Sequence, residues 1–124
     1  MILGLNHFTV LTDDVDRTVR FYGDLLGLVP GPRPDLGFAG AWLCVNGNAV
    51  LHIVGGRTLP AQRAGVLDHV AFSAHGLATV KQRLDDAKVP YELRRQRESN
   101  TWQLFFYDPN GAKVELDFDA AESA

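Results

Sequence analysis

Leu5-Asn6-His7-Phe8-Thr9-Val10 and Leu67-Asp68-His69-Val70-Ala71-Phe72 are the two stretches on which the fold turns. Each is a short run of β-branched and aromatic residues, the composition of a strand, and each carries a histidine at its third position. His7 and His69 stand 62 residues apart, and the same offset carries Val15 onto Leu77. An offset of 63 carries His52 onto Glu115, so one extra residue separates the later elements of the second half. The turn dipeptides Asn46-Gly47 and Asn110-Gly111 also fall close to correspondence. Two copies with a period of roughly 60 are too few and too long for a solenoid. The pattern is that of a duplicated supersecondary unit.

Working outward from each strand gives the same order of elements twice. In the first half, Asp13 or Asp14 is placed to cap a helix on which Val15, Val19, Tyr22 and Leu26 recur at helical spacing. Gly27 stops it, because glycine accepts the left-handed conformation past a helix end. Leu28 to Leu36, with three prolines, reads as a loop with room for a short strand. Ala41–Val45 and Ala49–Val54 form a hairpin around Asn46-Gly47. In the second half, Leu77, Val80, Leu84 and Ala87 mark a helix that ends before Pro90. Tyr91–Arg94 is a short strand, and Trp102–Tyr107 and Lys113–Phe118 are paired strands joined by Asp108-Pro109-Asn110-Gly111. The expected fold is α+β: two βαβββ modules forming a curved mixed sheet around a cavity. Module 1 spans about 1–56, a connector about 57–65, module 2 about 66–118, and a short tail 119–124.

Bulk properties narrow the function. With 124 residues and 46% apolar content, the chain suits a single domain with its own core. A net charge of -3 argues against nucleic acid as partner, since binding phosphates needs a dense cationic surface. Cys44 is the single cysteine and forms no internal disulfide, which together with the absence of an export pattern after Met1 leads to a cytoplasmic expectation. Residues 36–56 lack any Asp, Glu, Lys or Arg and are long enough to span a bilayer, but the Asn46-Gly47-Asn48 turn breaks them in the middle. The stretch is a buried hairpin, and no membrane partner is expected.

The repeat pairs four chemically useful residues: His7 with His69, and His52 with Glu115. Side chains alternate faces along a strand, so His7 and Thr9 share a face, as do Lys113, Glu115 and Asp117. If equivalent faces converge, two imidazoles and a carboxylate surround one point. That set suits a divalent ion such as Zn, Ni, Mn, Co or Fe(II), with an open side for water or substrate. His52 is either a fourth ligand or a hydrogen-bonding residue behind the ligands. Taken singly, each histidine is explained as a core or surface residue and Glu115 as a solvent-facing one; the conjunction points to a metal.

With these motifs in view, the chain resembles the vicinal oxygen chelate superfamily, which includes glyoxalase I, bleomycin-resistance proteins, fosfomycin-resistance thiol transferases and extradiol dioxygenases. The resemblance covers roughly Ile2 to Phe118. It rests on the two strands quoted first, on Phe21-Tyr22-Gly23-Asp24-Leu25-Leu26-Gly27-Leu28, and on Tyr107-Asp108-Pro109-Asn110-Gly111-Ala112-Lys113-Val114-Glu115-Leu116. It implies the fold more strongly than any one reaction. By it, His7, His69 and Glu115 fall on the usual metal-ligand positions. The position matching His52 is commonly Glu or Gln in glyoxalase I, so the carboxylate pair used there for proton shuttling is reduced to one. Thr9 falls on a substrate-contacting threonine of the fosfomycin-resistance enzymes. Arg95 and Ser99 lie near positions those enzymes use for potassium and phosphonate. Phe105 replaces their tyrosine and the tail lacks their arginine, so fosfomycin is not the expected substrate.

The leading expectation is a glyoxalase-like metalloenzyme whose substrate is a small molecule chelated through neighbouring oxygens, with lyase, isomerase or thiol-transferase chemistry. Glu115 is the candidate base and Thr9 a positioning group, while Trp42, Trp102, Gln103, Phe105 and Arg95 are candidates to contact substrate. An Fe(II) extradiol dioxygenase and a metal-independent drug-binding resistance protein are the alternatives. Two-module members commonly form homodimers, and the resemblance implies one here.

Overall fold

The first half builds a four-stranded sheet in which that half's own first and last strands lie side by side. A computed structural model describes residues 1–124, which divide into two units, Met1–Ala61 and Gln62–Ala124. In the first unit the order is β1 (Phe8–Leu11), α1 (Val15–Leu26), β2 (Val29–Gly31), β3 (Gly40–Val45) and β4 (Asn48–Val54). The sheet order is β1-β4-β3-β2, with β1 parallel to β4 and the other pairs antiparallel. The second unit repeats this with β5 (Val70–Ser73), α2 (Leu77–Asp86), β6 (Tyr91–Arg95), β7 (Trp102–Tyr107) and β8 (Lys113–Phe118), in the order β5-β8-β7-β6. The duplication is therefore one of topology: the two units are α+β, and each has its own mixed sheet rather than a share in a common one.

Local chemistry accounts for the boundaries. Asp14 caps α1, its carboxylate accepting from Arg17 N at 3.0 Å, and Gly27 closes the helix at φ 78°. The β3–β4 turn uses Asn46 at φ 50° and Gly47 at φ 79°, the two left-handed residues that a tight hairpin of this twist requires. The helix face is rotated by one residue from the sequence expectation. Thr18, Tyr22 and Leu25 are buried, while Val15, Val19 and Leu26 are only partly so. Thr18 tolerates burial because its hydroxyl meets that of Thr12 at 3.0 Å, and Thr12 in turn bonds the Asp14 carbonyl.

One sheet face in each unit packs on its helix. Leu43, Leu51 and Ile53 join Tyr22 in the first core; Leu104, Phe106, Val114 and Phe118 join Leu77 and Leu84 in the second. The opposite faces hold the polar residues. The strands start later than expected, because the ladders begin at Phe8–Leu51 and Val70–Val114. His7 and His69 each stand one residue ahead of a strand. Leu5 and Leu67, expected inside those strands, are 89% and 92% exposed.

Candidate metal centre

Parallel pairing sets the register of the first site. Thr9 lies opposite His52 on β4, and His52 opposite Trp42 on β3, so all three share the face turned away from α1. His7 continues that face beyond the end of β1 and stacks on His52, ring centroids 3.7 Å apart and planes within 15°. Trp42 covers the other side of His52 at 4.1 Å and 9°. Burial, then the neighbouring His7, hold the His52 imidazole below the usual histidine value. The shift favours the neutral ring between the two aromatic planes. A cavity of about 460 Å³ opens beside it, lined among others by Leu5, Asn6, Trp42, Asn48 and His52, a size that admits a small molecule.

The second unit presents different chemistry at the equivalent place. Glu115 on β8 lies between Ala71 on β5 and Phe105 on β7, and Asp117 between Ser73 and Gln103. His69 Nε2 faces Glu115 Oε1 at 3.3 Å, while its Nδ1 meets Asp68 Oδ2 at 2.8 Å. Its ring is edge-on to Phe105, with centroids 5.9 Å apart. Lys113 Nζ approaches the same Asp68 oxygen at 3.7 Å. The hydrogen bond from His69, then the Lys113 charge, hold the Asp68 carboxyl below its ordinary range.

This donor set fits a cation. The His69 ring sits between two carboxylates, each of which accepts and neither of which donates. With its proton on Nδ1, toward the nearer Asp68 oxygen, Nε2 points a lone pair at a Glu115 oxygen. Two acceptors face each other at 3.3 Å, an arrangement that is favourable only with a proton or a metal ion between them. Ligating histidines characteristically donate their other ring nitrogen to an oxygen in this manner. His7 shows the same feature: its Nδ1 meets Asn6 Oδ1 at 2.6 Å.

The structure brings His7 together with His52, and His69 together with Glu115. In neither unit do three or more His, Cys, Asp or Glu side chains gather as a group able to hold a metal ion. Among the expected substrate contacts, Thr9 and Trp42 share the His52 face, and Gln103 and Phe105 share the Glu115 face. Trp102 and Arg95 lie on the other face of the second sheet, in register with Phe118. There the Arg95 guanidinium stacks on Trp102 at 3.6 Å and bonds the carbonyls of Asn100 and Ala120. Trp102 Nε1 donates to the Glu122 carbonyl at 2.8 Å, so both residues tie down the tail. Strand alternation explains it: Trp102 and Gln103 are adjacent, so they face opposite sides. Arg94, whose guanidinium lies 4.4 Å from the Phe105 ring centre, is the arginine on the Glu115 face.

The roles of three residues escaped the sequence reading. Asn6 and Asp68 precede the two histidines, and their repetition at the same offset was the available signal. Asp117 shares the Glu115 face, and its Oδ1 is buried without a hydrogen-bond partner. Burial and the Glu115 carboxylate push its carboxyl up to about 6. A second carboxylate therefore does stand beside Glu115, on the same strand rather than at the His52 position.

Known proteins agree with this architecture. A glyoxalase I protein of Arabidopsis thaliana, "Glyoxylase I 4", is 32% identical over 123 residues, covering 93% of this chain and 70% of its own length. The glutathione transferase FosA of Serratia marcescens is 30% identical over 122 residues, covering 94% of this chain and 81% of its own. Among solved structures, a variant of the fosfomycin resistance protein FosX of Listeria monocytogenes, complexed with Mn(II) and 1S,2S-dihydroxypropylphosphonic acid, superposes with a TM-score of 0.78. It is 19% identical and covers 98% of this chain and 95% of its own. The corresponding family model matches residues 4–116. Repeated topology, paired histidines and this match lead to one assignment: the chain belongs to the Glyoxalase/Bleomycin resistance protein/Dioxygenase superfamily.

Proposed function

We propose that the protein is a metal-dependent enzyme of glyoxalase type, acting on a small substrate that presents two neighbouring oxygens. His7, His69 and Glu115 would hold one divalent ion: Zn, Ni, Mn, Co or Fe(II). His52, sandwiched between His7 and Trp42, supports the His7 ring rather than serving as a ligand. The observation that carries the reading is the approach of His69 Nε2 to Glu115 Oε1 at 3.3 Å, with the other ring nitrogen held by Asp68. When bound, the ion supplies Lewis-acid stabilisation of negative charge developing on the substrate oxygens. Glu115, only 7% exposed, would take a proton from the substrate. The Thr9 hydroxyl and the Gln103 amide orient it, while Trp42 and Phe105 supply apolar walls that exclude water. The same reading has the protein act as a homodimer in the cytoplasm.

Metal analysis tests this directly. Protein prepared without a His tag is incubated with each ion, dialysed and assayed for bound metal. The wild type should retain about one equivalent, and His69→Ala and Glu115→Ala should each weaken binding at least about 100-fold, as loss of a ligand exceeds loss of a ligand's partner. Equal metal in wild type and both variants sinks the proposal. Substrate assays then separate the chemistries: isomerisation of a hemithioacetal, thiol addition to an epoxide, or oxygen uptake with a catechol after Fe(II) loading. Tight metal-independent binding of a planar drug would favour a resistance protein instead. Sedimentation velocity at micromolar concentration checks the dimer.

A further inference from the structure

Each candidate histidine follows a residue that offers an oxygen to its Nδ1. Asn6 Oδ1 lies 2.6 Å from His7 Nδ1, and Asp68 Oδ2 lies 2.8 Å from His69 Nδ1. These two oxygen-bearing residues are themselves repeat-related, 62 positions apart like the histidines they precede. We propose that Asn6 and Asp68 are positioning residues, each fixing the next imidazole as its Nδ1–H tautomer so that Nε2 is left as an open donor. The inference deepens the metal reading and rests on it for its purpose, but it concerns the chain's own hydrogen bonds.

The physical case has three parts. An imidazole in water favours the Nε2–H form, which has no lone pair on Nε2, so a ring meant to donate through Nε2 needs a partner to move the proton. Neither histidine has that partner in the backbone ladder, since each stands one residue ahead of its strand; the preceding side chain provides it. The two oxygens also differ in kind. Asp68 is a carboxylate, and its charge-assisted bond is the stronger; Lys113 at 3.7 Å helps to hold it in place. Asn6 is a neutral amide and lines the cavity beside His52. At Nδ1 the second unit thus offers the stronger acceptor, set against the Glu115 carboxylate 3.3 Å from Nε2.

Nitrogen-15 NMR decides the matter in metal-free protein at a pH where imidazoles are neutral. Long-range proton–nitrogen correlations should show His69 of the wild type with a protonated Nδ1 and an unprotonated Nε2. Asp68→Ala should move His69 to the Nε2–H form while the remaining amide spectrum stays folded. Asp68→Asn, which keeps an amide oxygen as Asn6 does naturally, should restore the wild-type pattern. Asn6→Ala should change His7 alone. In parallel Co(II) titrations, Asp68→Ala should weaken binding by about 10–100-fold, with a smaller loss for Asp68→Asn. A wild-type His69 already in the Nε2–H form, or one unmoved by Asp68→Ala, overturns the inference. If the tautomers respond as expected while the wild type binds no metal, the positioning role stands and the metal-centre reading alone falls.

Discussion

In the first unit a histidine stacks on another histidine, with a tryptophan behind; in the second the equivalent histidine meets a glutamate, with an aspartate two residues along the strand. Strand order, parallel pairing and helix placement are the same in both, so the scaffold does not account for the difference. It comes from side chains on one sheet face. His52 and Trp42 make that face aromatic and polarisable in the first unit, whereas Glu115 and Asp117, with Lys113 and Arg94 on the same face, make it charged in the second. The opposite faces follow the same rule in both units: they are apolar and packed on a helix.

The sharpest way to break this comparison is at those cores. Tyr22 and Leu84 are repeat-related and both 0% exposed. Leu84→Ala should cost roughly 2–5 kcal/mol and Tyr22→Ala roughly 3–5 kcal/mol, because a buried side chain is lost and its cavity only partly collapses. Urea unfolding, followed by the fluorescence of Trp42 in one unit and Trp102 in the other, measures both. A loss under about 1 kcal/mol at either position would mean that the two buried helix faces are not equivalent in energy.

A smaller effect separates the helices. The α1 N-terminus is capped by its own Asp14, but α2 begins at Gly76 with no side-chain cap from its own residue. The tail supplies one: the Glu122 carboxylate accepts from Gly76 N at 3.0 Å and Leu77 N at 2.7 Å. Asp14→Ala and Glu122→Ala should each cost about 1 kcal/mol. Removing residues 122–124 should cost more than Glu122→Ala, because it also removes the carbonyl that accepts from Trp102 Nε1, and thermal unfolding of the two proteins would check this. A truncation that costs nothing would make the tail's contact ornamental.

Much of this was legible in the sequence, and what escaped it has a physical reason. Period, turn dipeptides and strand composition give the duplicated fold and its element order. The β7 and β8 limits follow from an Asp-Pro-Asn-Gly turn. Alternation also places Glu115, Lys113 and Asp117 on one face. The starts of β1 and β5 were less legible, because ladder pairing, not composition, decides where a strand begins. The face of α1 shifted because buried Thr18 counts as polar in any hydropathy pattern until its bond to Thr12 is known. Trp102 and Arg95 were misplaced by grouping aromatics and cations without applying alternation. The tail's capping role rests on a contact between residues 45 apart, which no local pattern encodes.

The finest distinction between the units is the sign of their pH dependence. In metal-free protein, Asp117 titrates at about 6 in the folded state against an ordinary value of 3.8. The native state then holds a proton that the unfolded chain has released, so this contribution is fully present below about pH 4 and is lost as pH rises toward 6. His52 acts in the opposite sense. Its folded value lies below 6.5, so the unfolded chain binds the extra proton and the first unit loses stability as pH falls through that value. Asp117→Asn should therefore become more stable relative to wild type between pH 4 and 7, by roughly 1 kcal/mol after allowance for solvent screening. His52→Gln should flatten the fall below about pH 6.5 instead. Urea midpoints at intervals across this range test both. Parallel curves for wild type and Asp117→Asn would show that the second carboxylate pays no penalty for standing beside Glu115, and the pairing of the two carboxylates on that face would then have no energetic consequence.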